Sequence, residues 1–480
     1  SYDRAIERMM LQLKSFGYNC IRCSHNPYSE SFARIADRVG MLVVNELTDK
    51  WSDNDYWGGR QPFTYLWHKL ITEWIKRDRN RPSIILWSLG NELQIREGWA
   101  GFEGTNDWGI TTYNIFNQLV KRWDHTRLTT VAMFPARAGA ITRHDKEFND
   151  YLVPPELACA TEVASFNYQS DKYDAYLKYQ PDLILFQSEA ETSKLLQPYY
   201  NMDRKRTVGM AYWGSAEYWG ESNKWPKKGW NYSFFDHTMR PYPQAYLIKS
   251  AFMPEIPEVH IGVVDAAGAE SVSWNDVTVG RMALNECWNH IPGSRQSLFT
   301  YTNAHSVELL VNGQSMGVQQ NDTTQANLRN MIYWKDVPYG NGGSVVAIAR
   351  DKSGKEVARH RIETAGKAVA LQIETETPAD WKADGMDLQY INVTAIDKKG
   401  RPVWDYNEPL TLQMEGAARL VALDNGDHYT DELFQGITSK RMYQGRMQII
   451  LRSTKTPSNV KLKISSADLK EKLSLKTFLK

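Results

Sequence analysis

The segment RDRNRPSIILWSLGNE (residues 77–92) decides how the first half of this 480-residue chain is read. It starts at the end of a helix expected over 64–78. Ile84 to Ser88 (IILWS) then forms a short buried-strand pattern, and Gly90, Asn91 and Glu92 follow at the strand's carboxyl end. The same unit recurs on both sides. Upstream, residues 2–15 carry Ile6, Met9, Met10 and Leu13 at helical spacing and stop at Gly17. Asn19 to Cys23 is strand-like, 29–38 is helical and closed by Gly40, and Met41 to Val44 is a second apolar strand. Downstream come a helix near 109–123 and strands at Leu128 to Met133, Ala164 to Tyr168, Leu183 to Phe186 and Val208 to Trp213. Strands alternating with helices imply a parallel sheet with crossover helices.

Seven strands can be counted, near 20, 42, 85, 130, 166, 184 and 210, where an eight-stranded α/β barrel needs one more. The chain opens inside a helix at Ser1. The expectation is therefore a (β/α)8 TIM barrel over 1–252, N-terminally truncated, with its first strand missing; a complete open α/β sheet is the alternative. Residues 253–258 (MPEIPE) end the alternation. Beyond them, short alternating strands meet turn signals such as Asn312-Gly313 and Asp351-Lys352-Ser353-Gly354, the pattern of an all-β sandwich. A second begins near Ala368. Two immunoglobulin-like β-sandwich domains are expected, over 253–366 and 367–480.

Composition narrows the function. With 57 basic and 56 acidic residues the formal net charge is +1, which argues against nucleic acid or an anionic membrane as partner. No apolar run approaches the roughly 20 residues of a membrane span. The four cysteines are scattered and make no disulfide scaffold. Cys20, Cys23 and His25 suggest zinc only at first sight, because a structural site wants four ligands and a strand points the two cysteines to opposite faces. Neither metal nor cofactor is expected. Twelve of the 17 tryptophans precede residue 253, so the aromatic load belongs to the barrel.

Active sites in α/β barrels lie at the carboxyl ends of the strands. Those ends supply Arg22, His25, Asn26 and Pro27; Asn45, Glu46, Asp49 and Trp51; Asn91 and Glu92; Asn167 and Tyr168; Ser188 and Glu189; and Tyr212 and Trp213. Two carboxylates on facing strand ends suit glycoside hydrolysis, in which one protonates the leaving oxygen and the other meets the oxocarbenium-like carbon. Indole walls suit the same chemistry, since sugar C–H faces pack on them. Glu46 is read equally well as a sugar contact or as a support for its neighbours. Glu189 and Glu191, two apart on a strand, share a face, so spacing does not choose between them.

These motifs resemble a known family. IRCSHNPYS (21–29), RDRNRPSIILWSLGNE (77–92), FNYQ (166–169) and LFQSEAETS (185–193) look like the barrel of glycoside hydrolase family 2, which includes β-galactosidases and β-glucuronidases. YTNAHSVELLVNGQSMG (301–317) and LVALDNGDHYTDELFQG (420–436) resemble the C-terminal domains of its Bacteroides-type members. The resemblance implies a retaining exo-β-glycosidase with Glu92 as acid/base and Glu189, which fits the family's Ser-Glu pattern, as nucleophile. Asn91 would bond the sugar 2-hydroxyl, Tyr168 would lie against the nucleophile, and Arg22, His25, Asn26 and Trp213 would line the sugar pocket. It also implies N-terminal domains ahead of the barrel. The substrate would be an oligosaccharide or polysaccharide. Periplasmic or secreted localisation and assembly into homo-oligomers are compatible with it.

Two departures bear on specificity. No counterpart of the family's Glu-x-His magnesium pair stands near Glu92. The Asn-x-Lys pair that grips glucuronate is not met in ESNKWPKKGWNYSFFD (221–236), where Asn223 directly precedes Lys224, and Lys227 and Lys228 read as solvated loop charges. β-Galactosides are therefore the first expectation and β-glucuronides the second. An inactive carbohydrate-binding fragment is the rival from another class. Asn-x-Ser/Thr at Asn231, Asn321 and Asn392 matters only in a glycosylating pathway.

Overall fold

The apolar runs of the first half pair side by side. In the computed structural model, which describes residues 2–51, 63–93, 109–134, 154–222, 224–265, 270–274, 277–376 and 380–478, seven strands form one parallel sheet in chain order: β1 (Cys20–Arg22), β2 (Leu42–Glu46), β3 (Ile84–Asn91), β4 (Leu128–Met133), β5 (Val163–Asn167), β6 (Leu185–Ala190) and β7 (Thr207–Tyr212). β1 and β7 come near each other without sharing a ladder, so the sheet is a nearly closed barrel. Val44, Leu86, Val163 and Phe186, from β2, β3, β5 and β6, pack together as one buried cluster. Inward side chains stacked in layers make such a barrel a packed core and leave its rim for chemistry.

The crossover helices follow the sequence signals. α1 (Asp3–Ser15), α2 (Glu30–Val39), α3 (Phe63–Asp78) and α4 (Ile110–Trp123) lie within a residue or two of their expected bounds. Ser29 caps α2, its hydroxyl accepting from the Phe32 N–H at 3.3 Å. Gly40 ends it in the left-handed region at φ 69°, its N–H reaching Ala36 O. α5 (Glu156–Ala160), α6 (Tyr173–Tyr179) and α7 (Gln197–Tyr200) are so short that no periodicity announces them. Trp87 of β3 faces the helices, where it packs edge-on against Trp74 and donates to Asp124 at 2.9 Å.

The register slips at the rim. Ladder irregularities fall between Ser88 and Asn91 on β3, between Phe166 and Asn167 on β5, and between Gln187 and Ala190 on β6. Irregularities of this kind re-aim side chains where regular pairing would point them elsewhere.

The described residues form two compact units, one built chiefly from Met10–Trp213 and one chiefly from Gly214–Trp274 and Thr278–Lys480. The second contains two pairs of four-stranded antiparallel sheets. In the first pair, Leu284–Asn285, Val259–Val264, Arg295–Thr302 and Met331–Pro338 make one sheet, and Gln314–Gln320, Ser306–Val311, Ser344–Arg350 and Glu356–Glu363 make the other. Both sheets contribute to one buried core, where Ile261 and Leu298 meet Leu309 and Ala347 beside Trp288 and Trp334. In the second pair, Ala368–Thr375, Leu388–Asp397, Arg446–Ser453 and Ala418–Asp424 face Ser439–Arg441, Pro409–Glu415, Asn459–Ser466 and Leu469–Lys476 across a core that includes Ile391, Leu412, Ile449 and Trp381. These are the two expected sandwiches. Among the described residues no helix is long and apolar enough to cross a membrane.

Candidate active site

The strand ends converge on Arg22. From the end of β1 its guanidinium donates to Glu46 Oε2 at 2.8 Å, to Glu189 Oε1 at 2.7 Å and to Asn91 Oδ1 at 3.0 Å. All four side chains are buried. A planar fork with several fixed donors suits this task, and a point-charge ammonium would not span the three acceptors.

Glu46 is fully buried and saturated. Besides Arg22 it accepts from the Ser88 hydroxyl at 2.7 Å and contacts His25 Nδ1 at 2.6 Å. Burial pushes its carboxyl up, but Arg22, His25 and Ser88 outweigh burial and hold it below the ordinary carboxylate range. Of the two readings of Glu46, the geometry favours the supporting one. Its partner His25 is pulled down by burial and raised further by the Glu46 bond and charge, leaving it above its ordinary value. The His25 ring lies parallel to Trp213, with centroids 5.3 Å apart and planes 7° apart.

Glu92 sits just past β3 in the left-handed region, at φ 49°. Its N–H donates to Ala132 O at 2.7 Å, and its Oε1 accepts from Asn167 Nδ2 at 3.1 Å. Burial first, and then the charge of Glu189, push its carboxyl up to about 7, against the pull of Lys50 and the Asn167 bond. Gly90 makes the close packing behind it feasible, since a Cβ there would lie 2.8 Å from Trp51 Nε1. That indole nitrogen donates to Leu89 O at 2.8 Å.

Glu189 lies within β6, where Asn167 is its ladder partner, and Tyr168 N–H donates to its carbonyl at 2.8 Å. Tyr168 is buried at φ 61° and packs edge-on against Phe134. The shared-face argument for Glu191 does not survive. β6 ends at Ala190, Glu191 opens a 3-10 turn, and its carboxylate pairs with Lys194 at 2.6 Å.

The cluster therefore gathers Arg22, His25, Asn91, Glu92, Tyr168, Glu189 and Trp213. Asn26 stands apart, exposed, with its amide donating to Pro27 O at 3.2 Å. Several strand-end residues to which no individual role was assigned from the sequence join the network. Asn167 donates to Asn91 Oδ1 at 2.9 Å as well as to Glu92, and Ser188 donates to Asn167 Oδ1 at 2.7 Å. Asp49 accepts from Asn91 at 3.1 Å and from Lys50 at 2.7 Å. Their signal in the sequence was position alone, at or just past a strand end. Asn223 lies outside the described residues. Lys227 is no solvated charge: it is buried and donates to Tyr232 OH at 3.1 Å.

Two oppositely housed carboxylates, one ion-paired and one bonded to a neutral amide, form the arrangement of a two-carboxylate hydrolase. The comparisons with known proteins agree. Residues 4–208 match the glycosyl hydrolases family 2 TIM barrel domain, 371–473 match the glycoside hydrolase family 2 C-terminal domain 5, and 293–358 match a domain of unknown function. The chain belongs to glycoside hydrolase family 2. A β-galactosidase of Bacteroides ovatus is 26% identical over 98% of this chain and 58% of its own length. A putative β-glucuronidase of Formosa agariphila is 25% identical over 95% of this chain and 45% of its own. Among solved structures, a family 2 member from Bacteroides cellulosilyticus superposes with a TM-score of 0.81 at 27% identity, over 99% of this chain and 59% of that one. The chain thus spans about three-fifths or less of the length of these relatives.

Proposed function

We propose that this family 2 chain carries the catalytic centre of a retaining exo-β-glycosidase acting on terminal β-linked sugars, β-galactosides first. The observation that carries the reading is the contrast between its two glutamates. Glu189 is ion-paired with Arg22 at 2.7 Å, whereas Glu92 has a neutral amide partner and a carboxyl pushed up to about 7. A group that keeps its proton near neutrality can protonate the leaving oxygen.

In this reading the Glu189 carboxylate attacks the anomeric carbon. The C–O bond to the leaving group breaks as Glu92 delivers its proton to that oxygen, and a glycosyl-enzyme results. Glu92, now ionised, takes a proton from water, which attacks the anomeric carbon and frees Glu189. Arg22 holds Glu189 and Asn91 in register, Asn91 meets the sugar 2-hydroxyl, and the His25–Trp213 stack offers a flat wall to the ring.

The B. ovatus relative's name supports galactosides; the Formosa relative's supports glucuronides as the second reading. Assay of the 480-residue chain, and of any longer protein containing it, with nitrophenyl β-galactoside and β-glucuronide separates the two. Product stereochemistry tests retention: the β-anomer should appear first, and an initial α product overturns the mechanism. Sugar binding without turnover in either protein would instead favour a binding role.

A further inference from the structure

Away from the barrel, within the second unit, Glu217, His237 and His428 bring three side chains to one point. We propose that they form a binding site for a divalent zinc-type cation. Glu217 follows the barrel strands by a few residues. His237 lies on the following segment, and His428 on the loop after strand Ala418–Asp424 of the second sandwich. His428 and Glu217 are 211 positions apart in sequence, so spacing gave no hint of the cluster.

The case rests on which atoms are already committed. Glu217 Oε1 accepts from Tyr242 OH at 2.8 Å, and its Oε2 faces both histidines. His237 Nε2 lies 2.9 Å from Asp424 Oδ1 and so donates there, and its Nδ1 faces Glu217 Oε2 at 3.2 Å, where a bound cation would take the place of the ring proton. His428 Nδ1 faces the same oxygen, also at 3.2 Å. Charge-assisted N–H···O bonds are normally shorter, near 2.7–2.9 Å. Donors about 2.0–2.1 Å from a tetrahedral zinc stand about 3.3 Å from one another. All three ligand atoms lie within 4.8 Å of one another.

The surroundings have the features that tune a metal site. Asp424 behind His237 is the carboxylate–histidine arrangement that fixes tautomer and ring orientation. Trp219 and Phe434 pack edge-on against the His237 ring, and the three ligand side chains are almost fully buried. Two imidazoles and one carboxylate suit zinc or cobalt, not the all-oxygen shells of calcium or magnesium. Bound there, the ion would tie the segment after the barrel to the second sandwich.

A second trio, His260, Glu286 and His360, does not qualify. Ile261 N–H donates to His360 Nδ1 at 3.1 Å, so the proton sits on Nε2, the nitrogen that faces Glu286 at 4.0 Å. Its rings stack face to face, His260 between Tyr246 at 3.5 Å and His360 at 4.0 Å. This is an aromatic column with a carboxylate acceptor.

The test is cobalt titration of the chelator-stripped 480-residue chain. One equivalent should bind with the intense visible absorption of a tetrahedral ion, zinc should displace it, and the unfolding temperature should rise. His237→Gln and His428→Gln should abolish the signal, Asp424→Asn should weaken affinity about 10–100-fold, and His360→Gln should leave it unchanged. Circular dichroism confirms that each variant is folded. No stoichiometric binding by the wild-type chain, a weak octahedral spectrum, or a signal that survives in folded His237→Gln and His428→Gln overturns the proposal.

Discussion

Asn167 donates one side-chain amide to both Asn91 Oδ1 and Glu92 Oε1, at 2.9 and 3.1 Å. Through Asn91 and Arg22 this amide joins Glu92 to Glu189 in one continuous chain of hydrogen bonds. The Asn167 bond favours the ionised form of Glu92. Asn167→Ala should therefore move the alkaline limb of kcat/KM to higher pH. It should also lower kcat/KM by about tenfold, the worth of one buried hydrogen bond of about 1.4 kcal/mol. A pH–rate profile reads both effects.

Glu92→Gln separates chemistry from stability. Loss of the proton donor should reduce turnover of an unactivated disaccharide by about 10²–10⁴-fold, and much less for a nitrophenyl glycoside whose leaving group needs little help. Stability should move the other way. The folded-state value near 7 lies above the ordinary 4.5, so the wild-type chain is most favoured below 4.5 and loses stability as pH rises through 7. The uncharged amide does not titrate. Thermal unfolding should show the variant gaining on wild type at pH 8 relative to pH 5.

Glu46 has the opposite sign. Its carboxyl is held below the ordinary range, so its contribution is present above that range and fades as pH falls through the depressed value. Glu46→Ala would leave Arg22 with one carboxylate in place of two, and His25 without its partner. Breaking a buried pair costs about 3–5 kcal/mol, so denaturant unfolding should show a loss of that size. Glu46→Gln, which keeps the shape and an acceptor oxygen, should lose less.

Gly90→Ala tests packing behind the acid/base. The added methyl would lie 2.8 Å from Trp51 Nε1 and 3.0 Å from Leu93 Cδ1. Over-packing of this kind typically costs about 1–3 kcal/mol. Because the indole bond to Leu89 O must shift with it, kcat should fall more than KM changes. Steady-state kinetics beside thermal unfolding would separate the two effects.

Much of this organisation was legible in the sequence. IILWS, MLVV and their counterparts are apolar runs bounded by helices, and the barrel order follows from them. Convergence of Arg22, Glu92 and Glu189 followed from the carboxyl-end rule. What escaped was set by local departures from regularity. Glu191 was placed on the face of Glu189 by strand periodicity, but the strand stops at Ala190 and the chain turns. Asn167 and Asp49 stood among the strand-end residues, but their roles, like that of Lys50, come from hydrogen bonds across strands, which no single segment displays. α5 and α6 have too few turns to show a period. Lys227 read as a loop charge because its burial against Tyr232 depends on tertiary packing.

The slipped ladders on β3, β5 and β6 have an evolutionary corollary. On β3 and β5 the shift lies between the regular part of the strand and the functional side chain beyond it, and on β6 it spans Glu189 itself, so reach at the mouth can be retuned without repacking the Val44–Leu86–Val163–Phe186 layer. The same device makes these strands intolerant of length changes. Removing Ser188 would swing Glu189 from one side of the sheet to the other.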